Sequence, residues 1–297
     1  MDEFTLITEL VKHLGSRAQG RWVQLGPGDD AAVIQATPGY DLVASIDTLL
    51  GDVHFPVEAR PFDIGYRGMM VSLSDLAAMG AEPRYVLAAL TLPEADVHWV
   101  TQLAQGMAEA AADCDTYLCG GNLTRGPLSM TVSVHGQLPA GEGVLRSGAQ
   151  VGDHIYVSGP LGGAAACVRR EDWWYTHELS PIQRCFFRPV ARFDLVHQLR
   201  RCARAAIDIS DGLLADLAHI CDASQVAARI DSAHIPLVEG AGLEDALSGG
   251  DDYQLLCTTA ADMADWTCIG EIAAGEGIWL DNQRVTAQGY NHFGAIA

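Results

Sequence analysis

The 297-residue sequence predicts an α+β protein built as two α/β domains. Three observations predict it. Helical and strand patterns are interspersed along the whole chain, with hairpin-length gaps as well as crossover-length ones, which favours helices laid on one face of a sheet over strict strand–helix alternation. The grammar of elements before a Gly-rich stretch at 138–153 is repeated after it, which places a domain boundary there and gives domains 1–140 and 141–297. The length and a hydrophobic content of 49% suffice for two cores of ordinary size.

The elements follow in order. Phe4, Ile7, Leu10, Val11 and Leu14 recur on one helical face, and a Gly-Pro-Gly turn comes next. Residues 31–34 and 41–46 read as strands. Residues 63–79 read as a helix stopped by Gly80 and Pro83. A strand is expected at 85–92. A helix at 94–112 begins after Pro93, with Val97, Val100, Leu103, Ala104, Met107 and Ala111 inward. Strands at 116–119 and 130–138 complete the first domain, the latter alternating apolar and polar residues. The second domain reads as a strand at 154–158, helices at 162–170 and 190–202, a strand at 205–210, a helix at 211–224, and strands at 227–230, 253–258 and 267–272.

Charge narrows the function. A formal net charge of −20 repels nucleic acid and anionic membranes, so neither is expected as a partner, and it attracts cations. Lys12 is the single lysine and lies outside any Walker-type phosphate loop, and no G-x-G-x-x-G follows a predicted strand. A nucleotide would be held by another device. Eight cysteines without a C-x-x-C pair argue against zinc and read as free thiols of a cytoplasmic protein with no leader. No apolar run approaches the roughly 20 residues that cross a bilayer. H-E-x-x-H and G-x-S-x-G are both absent.

The acidic residues are oddly placed for a merely soluble surface. Asp29 and Asp30 follow the Gly-Pro-Gly turn. Asp47 ends an apolar strand. Asp75 lies about one turn before a helix C-terminus, where the dipole disfavours an anion by roughly 0.3–1 kcal/mol. Asp208 lies inside an apolar strand, a position costing several kcal/mol unless the carboxylate is paired, and Asp211 follows it. Each alone is compatible with a turn or cap. Together they suggest oxygen-ligated cations, Mg²⁺ by preference, completing their shells with phosphate oxygens. Gly-Gly clusters in 119–130 and 247–256 serve either as tight turns or as close backbone approaches to an anion. Arg125 and Arg146 lie in or near such loops, and His54 lies just after Asp47 and Asp52.

The runs "LGPGDDAAV", "SIDTLLGDVHF", "SLSDLAAMGAEP", "GGNLTRGPLSM", "GVLRSGAQVGD", "AIDISDGLLADLAHI", "SGGDDYQLL" and "GYNHF" resemble, in this order, those of the thiamine-monophosphate kinase family of the PurM/AIR synthetase-like superfamily. The resemblance implies two PurM-like domains, a homodimer joined through its N-terminal sheets, and ATP-dependent phosphorylation of thiamine monophosphate to thiamine diphosphate. It implies that Asp30, Asp47, Asp75, Asn122, Asp208 and Asp211 hold Mg²⁺. Tyr117, Gly121, Asn122, Arg146 and Ser210 would contact ATP, and His54, Asp251 and Tyr290 the thiamine monophosphate. No protein nucleophile is expected, because the attacking group is a phosphate oxygen. The chain departs from the family pattern twice: Asn122 stands where Asp is usual, and Asp251 where Glu is usual. Another PurM-like ATP-dependent enzyme and a nucleotide-binding homologue with weakened catalysis are the two other readings.

Overall fold

The structure is a computed structural model that describes residues 3–28, 31–171, 173 and 178–290. It divides into two compact units, Met1–Leu76 with Ala81–Gly141, and Ala77–Gly80 with Glu142–Ala297.

In the first unit, α1 (Glu3–Leu14) precedes two short antiparallel strands, β1 (Val23–Leu25) and β2 (Val33–Ile34). Then come β3 (Tyr40–Leu50), α2 (Pro61–Ala78), β4 (Glu82–Leu92), α3 (Val97–Asp113), β5 (Tyr117–Arg125) and β6 (Ser129–Pro139). The last four strands form one sheet in the order β3-β6-β4-β5. Only β4 and β5 run parallel, as their helical crossover α3 requires. Asp96 fixes the start of α3: its carboxylate accepts from the N–H groups of His98 and Trp99. Two glycines let α2 and α3 touch backbone to backbone. A Cβ on Gly65 would lie 2.2 Å from the Leu103 carbonyl oxygen, and one on Gly106 would lie 1.9 Å from that of Phe62. Strand alternation then sorts the sheet into two faces. Leu49, Met130, Val132, Val134, Val86, Ala88 and Leu90 are buried, and the Met130 thioether reaches α2 at Gly68. On the opposite face the β3 side chains stand in the open, with Leu42 73% and Ile46 63% exposed.

The second unit carries β7 (His154–Val157), α4 (Gly163–Arg169), α5 (Pro181–Phe187), α6 (Val196–Cys202), β8 (Ala205–Asp208), α7 (Leu213–Ser224), β9 (Ala227–Ile230), α8 (Leu243–Ser248), β10 (Leu255–Thr259), β11 (Thr267–Ala273), β12 (Gly277–Leu280) and β13 (Gln283–Val285). Its seven strands run in the order β13-β12-β9-β11-β7-β10-β8. Alternate residues feed two cores. Ile155, Val157, Ile207 and Leu256 pack with Leu213, Leu217 and Ile220 of α7. Tyr156, Ala206, Leu255 and Cys257 pack with Val196, Leu199, Met263 and Trp266. A strand apolar on both sides is what double coverage demands.

Several elements depart from the sequence expectation. The helix expected at 190–202 begins instead with a 3-10 turn, Phe193–Leu195, and only Val196–Cys202 is α-helical. Arg192 explains the delay: its guanidinium bonds the Ser158 carbonyl and the Gln254 side chain, which pins the preceding backbone outside the helix. The strand expected at 116–119 runs on through Gly120 and Gly121 to Arg125. There the glycines serve close packing of strands, since a Cβ on Gly121 would lie 1.8 Å from the Ala88 carbonyl oxygen.

Candidate functional site

In the first unit the sheet and α2 bring two carboxylates against each other. Asp47 is near the end of β3 on the face that α2 covers, and Asp75 is in the last turn of α2. The Ser45 hydroxyl, two residues earlier on the same strand face, donates to Asp75 Oδ2 at 2.5 Å. Burial and the neighbouring Asp75 charge push the Asp47 carboxyl up to about 6, against an opposing hydrogen bond from Ser72. The influences on Asp47 include no cation among the described residues, and the helix C-terminus adds its own negative end. Hard oxygen donors with excess negative charge fit a divalent cation of the Mg²⁺ type. Among the described residues no three or more His, Cys, Asp or Glu side chains converge as a metal cluster.

The other candidates of this unit are distributed more widely. His54 Nδ1 accepts from the Leu50 N–H at 3.0 Å, in a turn that also places Asp52 in the left-handed region. Tyr117 lies against Gly20 and under the Arg17 guanidinium, 5.5 Å from its ring centre. Asn122 is exposed and in register with Ala89, which pairs with Thr131 and through it with Thr48. That row lies on the face of Leu42 and Ile46, opposite the face of Asp47, so the strand pairing does not bring Asn122 beside the Asp47–Asp75 pair. Asp30, like Asp29, lies outside the described residues.

In the second unit β8 delivers buried Asp208 to its C-terminal end, and the following loop presents Ser210 and Asp211. That loop is held on every side. The Ser210 and Asp211 N–H groups both donate to Asp216 Oδ2, at 2.9 and 3.0 Å. The Ser210 carbonyl accepts from the Asp251 N–H at 2.8 Å, and the Asp211 carbonyl from the Tyr290 N–H at 3.1 Å. Ile209 exchanges backbone bonds with Gln254 and Tyr253. Gly250 is required here: its φ is 70°, and a Cβ would lie 2.4 Å from the Ser210 carbonyl oxygen. Asp251 and Tyr253 are also left-handed, at φ 64° and 52°, and the Tyr253 hydroxyl donates to Asp251 Oδ1 at 2.7 Å. Left-handed backbone at a bulky residue stores strain that the surroundings must hold. Tyr290 leaves half its surface exposed.

Two buried carboxylates were not among the expected site residues. Asp216 is 2% exposed; burial, with the Asp211 charge, pushes it up to about 7 against the backbone bonds it accepts and the Arg146 charge. Asp252 accepts from the Gly162 N–H at 2.7 Å and is raised well above the ordinary carboxylate range by burial. A signal for Asp216 existed in the sequence. It lies three residues from Leu213 and four from Ile220, on the apolar face of α7, where an acid has no packing reason to be.

The family model for AIR synthase related protein, N-terminal domain, matches residues 28–138, and that for the C-terminal domain matches 150–278. Thiamine-monophosphate kinase of Salmonella typhimurium is 39% identical over 321 residues, covering 98% of each chain. That of Escherichia coli K12 is 38% identical over 320 residues, with 98% of each covered. Among solved structures, thiamine-monophosphate kinase from Stenotrophomonas maltophilia has a TM-score of 0.87 at 40% identity, covering 96% of this chain and 98% of the other. AaThiL complexed with AMPPCP and TMP has a TM-score of 0.80 at 31% identity, with 98% and 97% covered. The hydrogenase maturation protein HypE in complex with ATP, at 17% identity and a TM-score of 0.78, shares the fold.

Proposed function

The chain belongs to the thiamine-monophosphate kinase family of the AIR synthase related proteins, and on that premise we propose that it moves the terminal phosphoryl group of ATP directly onto thiamine monophosphate, assisted by Mg²⁺. Asp30, Asp47, Asp75, Asp208 and Asp211 would hold the cations, and Asn122, on the sheet face opposite Asp47, would serve a cation other than the one at the Asp47–Asp75 pair. When bound, Mg²⁺ supplies charge neutralisation between two polyanions that otherwise repel. Tyr117, Gly121, Arg146 and Ser210 would seat the nucleotide, Arg146 as a forked donor to phosphate. Tyr290 offers an aromatic face, and Asp251 a carboxylate, to the cationic thiazolium of the acceptor, with His54 as its further contact. The attacking oxygen belongs to a phosphate whose second pKa is near 6, so no strong base and no protein nucleophile is needed. The exposed apolar side chains of β3, Leu42, Ile46 and Leu50, support pairing with a second copy.

The observation that carries this reading is the Asp47–Asp75 pair, two carboxylates brought together with a serine hydroxyl, the charge of one raising the pKa of the other. The experiment is thiamine diphosphate formation from ATP, Mg²⁺ and thiamine monophosphate, for the wild type and Asp75→Asn. Wild-type product, with loss of at least about 100-fold in the folded variant, supports the assignment. A folded Asp75→Asn protein with near-normal turnover removes the pair from the chemistry. Nucleotide binding by the wild type without product would favour a homologue of weakened catalysis, the reading that neutral Asn122 favours.

A further inference from the structure

We propose that Asp216 is a positioning residue for both halves of the reaction, acting through the Ser210–Asp211 backbone without touching either substrate. The inference rests on the reading above, in which Ser210 and Asp211 face nucleotide and metal while Asp251 and Tyr290 face the acceptor. One carboxylate oxygen, Oδ2, takes both N–H groups of the loop. The same two residues use their carbonyls to receive the N–H groups of Asp251 and Tyr290. Two consecutive residues thus carry four hydrogen bonds in two directions: donors toward a buried acid, acceptors toward the segments of the other substrate. Both bonds are part-buried, and N–H groups shielded from water that lose their acceptor are costly, so Asp216 favours one setting of the loop. The acid stands on α7, whose Leu213, Leu217 and Ile220 are locked in the core, so the anchor itself is rigid. Gly212, at φ 111°, and Gly250 flank the junction and let the two strands of backbone pass within hydrogen-bond reach.

The test separates an acceptor role from a merely structural one. Asp216→Asn keeps an acceptor oxygen; Asp216→Leu removes it at similar size. Amide hydrogen exchange is followed by mass spectrometry or NMR on the metal-free full-length protein, together with KM for ATP and for thiamine monophosphate. In Asp216→Leu the amides of Ser210 and Asp211 are expected to exchange roughly 10–100-fold faster, the scale of a lost part-buried bond. Those of Asp251 and Tyr290 should follow, while the Leu217 and Ile220 amides within α7 keep their wild-type rates. Both KM values should rise together, and Asp216→Asn should restore exchange and KM to within about threefold, having kept the acceptor. Unchanged exchange at Ser210 and Asp211, or equal acceleration along α7, overturns the proposal. If Asp216→Leu does not fold, Asp216→Asn decides alone: wild-type-like loop protection supports the acceptor role, and accelerated loop exchange refutes it. The exchange result stands whether or not the wild type makes thiamine diphosphate, so failure of the functional reading is recognised separately.

Discussion

Asp47 is held in its strand at a cost that the metal-free protein bears alone. Its carboxyl is raised from 3.8 to about 6 by burial and by Asp75. A folded-state pKa above the unfolded one means that the protonated form favours the fold. The contribution is therefore fully present below about pH 4 and is lost as pH rises through about 6. Asp47→Asn removes this dependence. Without divalent metal, the variant should be more stable than the wild type at pH 8 by roughly 1–3 kcal/mol, and the two should converge toward pH 4. Adding Mg²⁺ at pH 8 should raise the wild-type melting temperature and leave the variant nearly still. Thermal melts across that range, with and without chelator, check it, and parallel pH curves for the two proteins would sink the idea. At this scale the sequence was informative where an acid stood in a wrong place, such as Asp75 near a helix end. It was silent where the residue's partner is a backbone N–H distant in sequence, as for Asp252 and Gly162, since the flanking Gly-Gly-Asp-Asp-Tyr run reads as an ordinary turn.

At the scale of elements, the α2–α3 crossing depends on two absent side chains. A Cβ at Gly106 would meet the Phe62 carbonyl at 1.9 Å, a backbone atom with no freedom to move aside. Gly106→Ala gains helix propensity of up to about 1 kcal/mol, yet overpacking costs about 1–3. A net loss of stability is expected in urea melts; a gain would mean that the helices slide apart without penalty. The same elements mark what the sequence could and could not disclose. Helices α2, α3 and α7 were legible because they are long and amphipathic, with Pro, Gly or Asp at their ends. Helices α5 and α8 were not, being 7 and 6 residues long, too short for a period to accumulate. The capping box of Ser180 and Gln183 and the proline at the first helical position, Pro181, were the local signs of α5. Strands β12 and β13 are a four- and a three-residue pair at the sheet edge, too short for an alternation to show. The Gly-Gly of β5 misled in the opposite direction, because glycine marks close approach of any backbone, ligand loop or neighbouring strand.

For the whole molecule, the distribution of apolar surface is the most informative feature left. A chain with a net charge of −20 keeps Leu42, Ile46 and Leu50 exposed on one sheet face of the first unit. Unpartnered apolar faces of this kind mark association, and the family relation directs the expectation to a second copy. Leu42→Glu should shift the mass measured by analytical ultracentrifugation from dimer toward monomer, with the secondary structure retained. A wild type that sediments as a monomer would end the pairing proposal. The junction at Ser210 and Asp211 has a different reach, in evolvability. Four backbone hydrogen bonds meet there, and under the proposed reading they serve opposite sides of one reaction, so neither side can drift alone through its backbone. Selection for a new phosphorylated acceptor would have to work through side chains that hang from the junction, such as those of Asp251 and Tyr290, while Gly212, Asp216 and Gly250 stay fixed. A library that varies the former should yield altered acceptor preference, and one that varies the latter should yield mainly inactive protein.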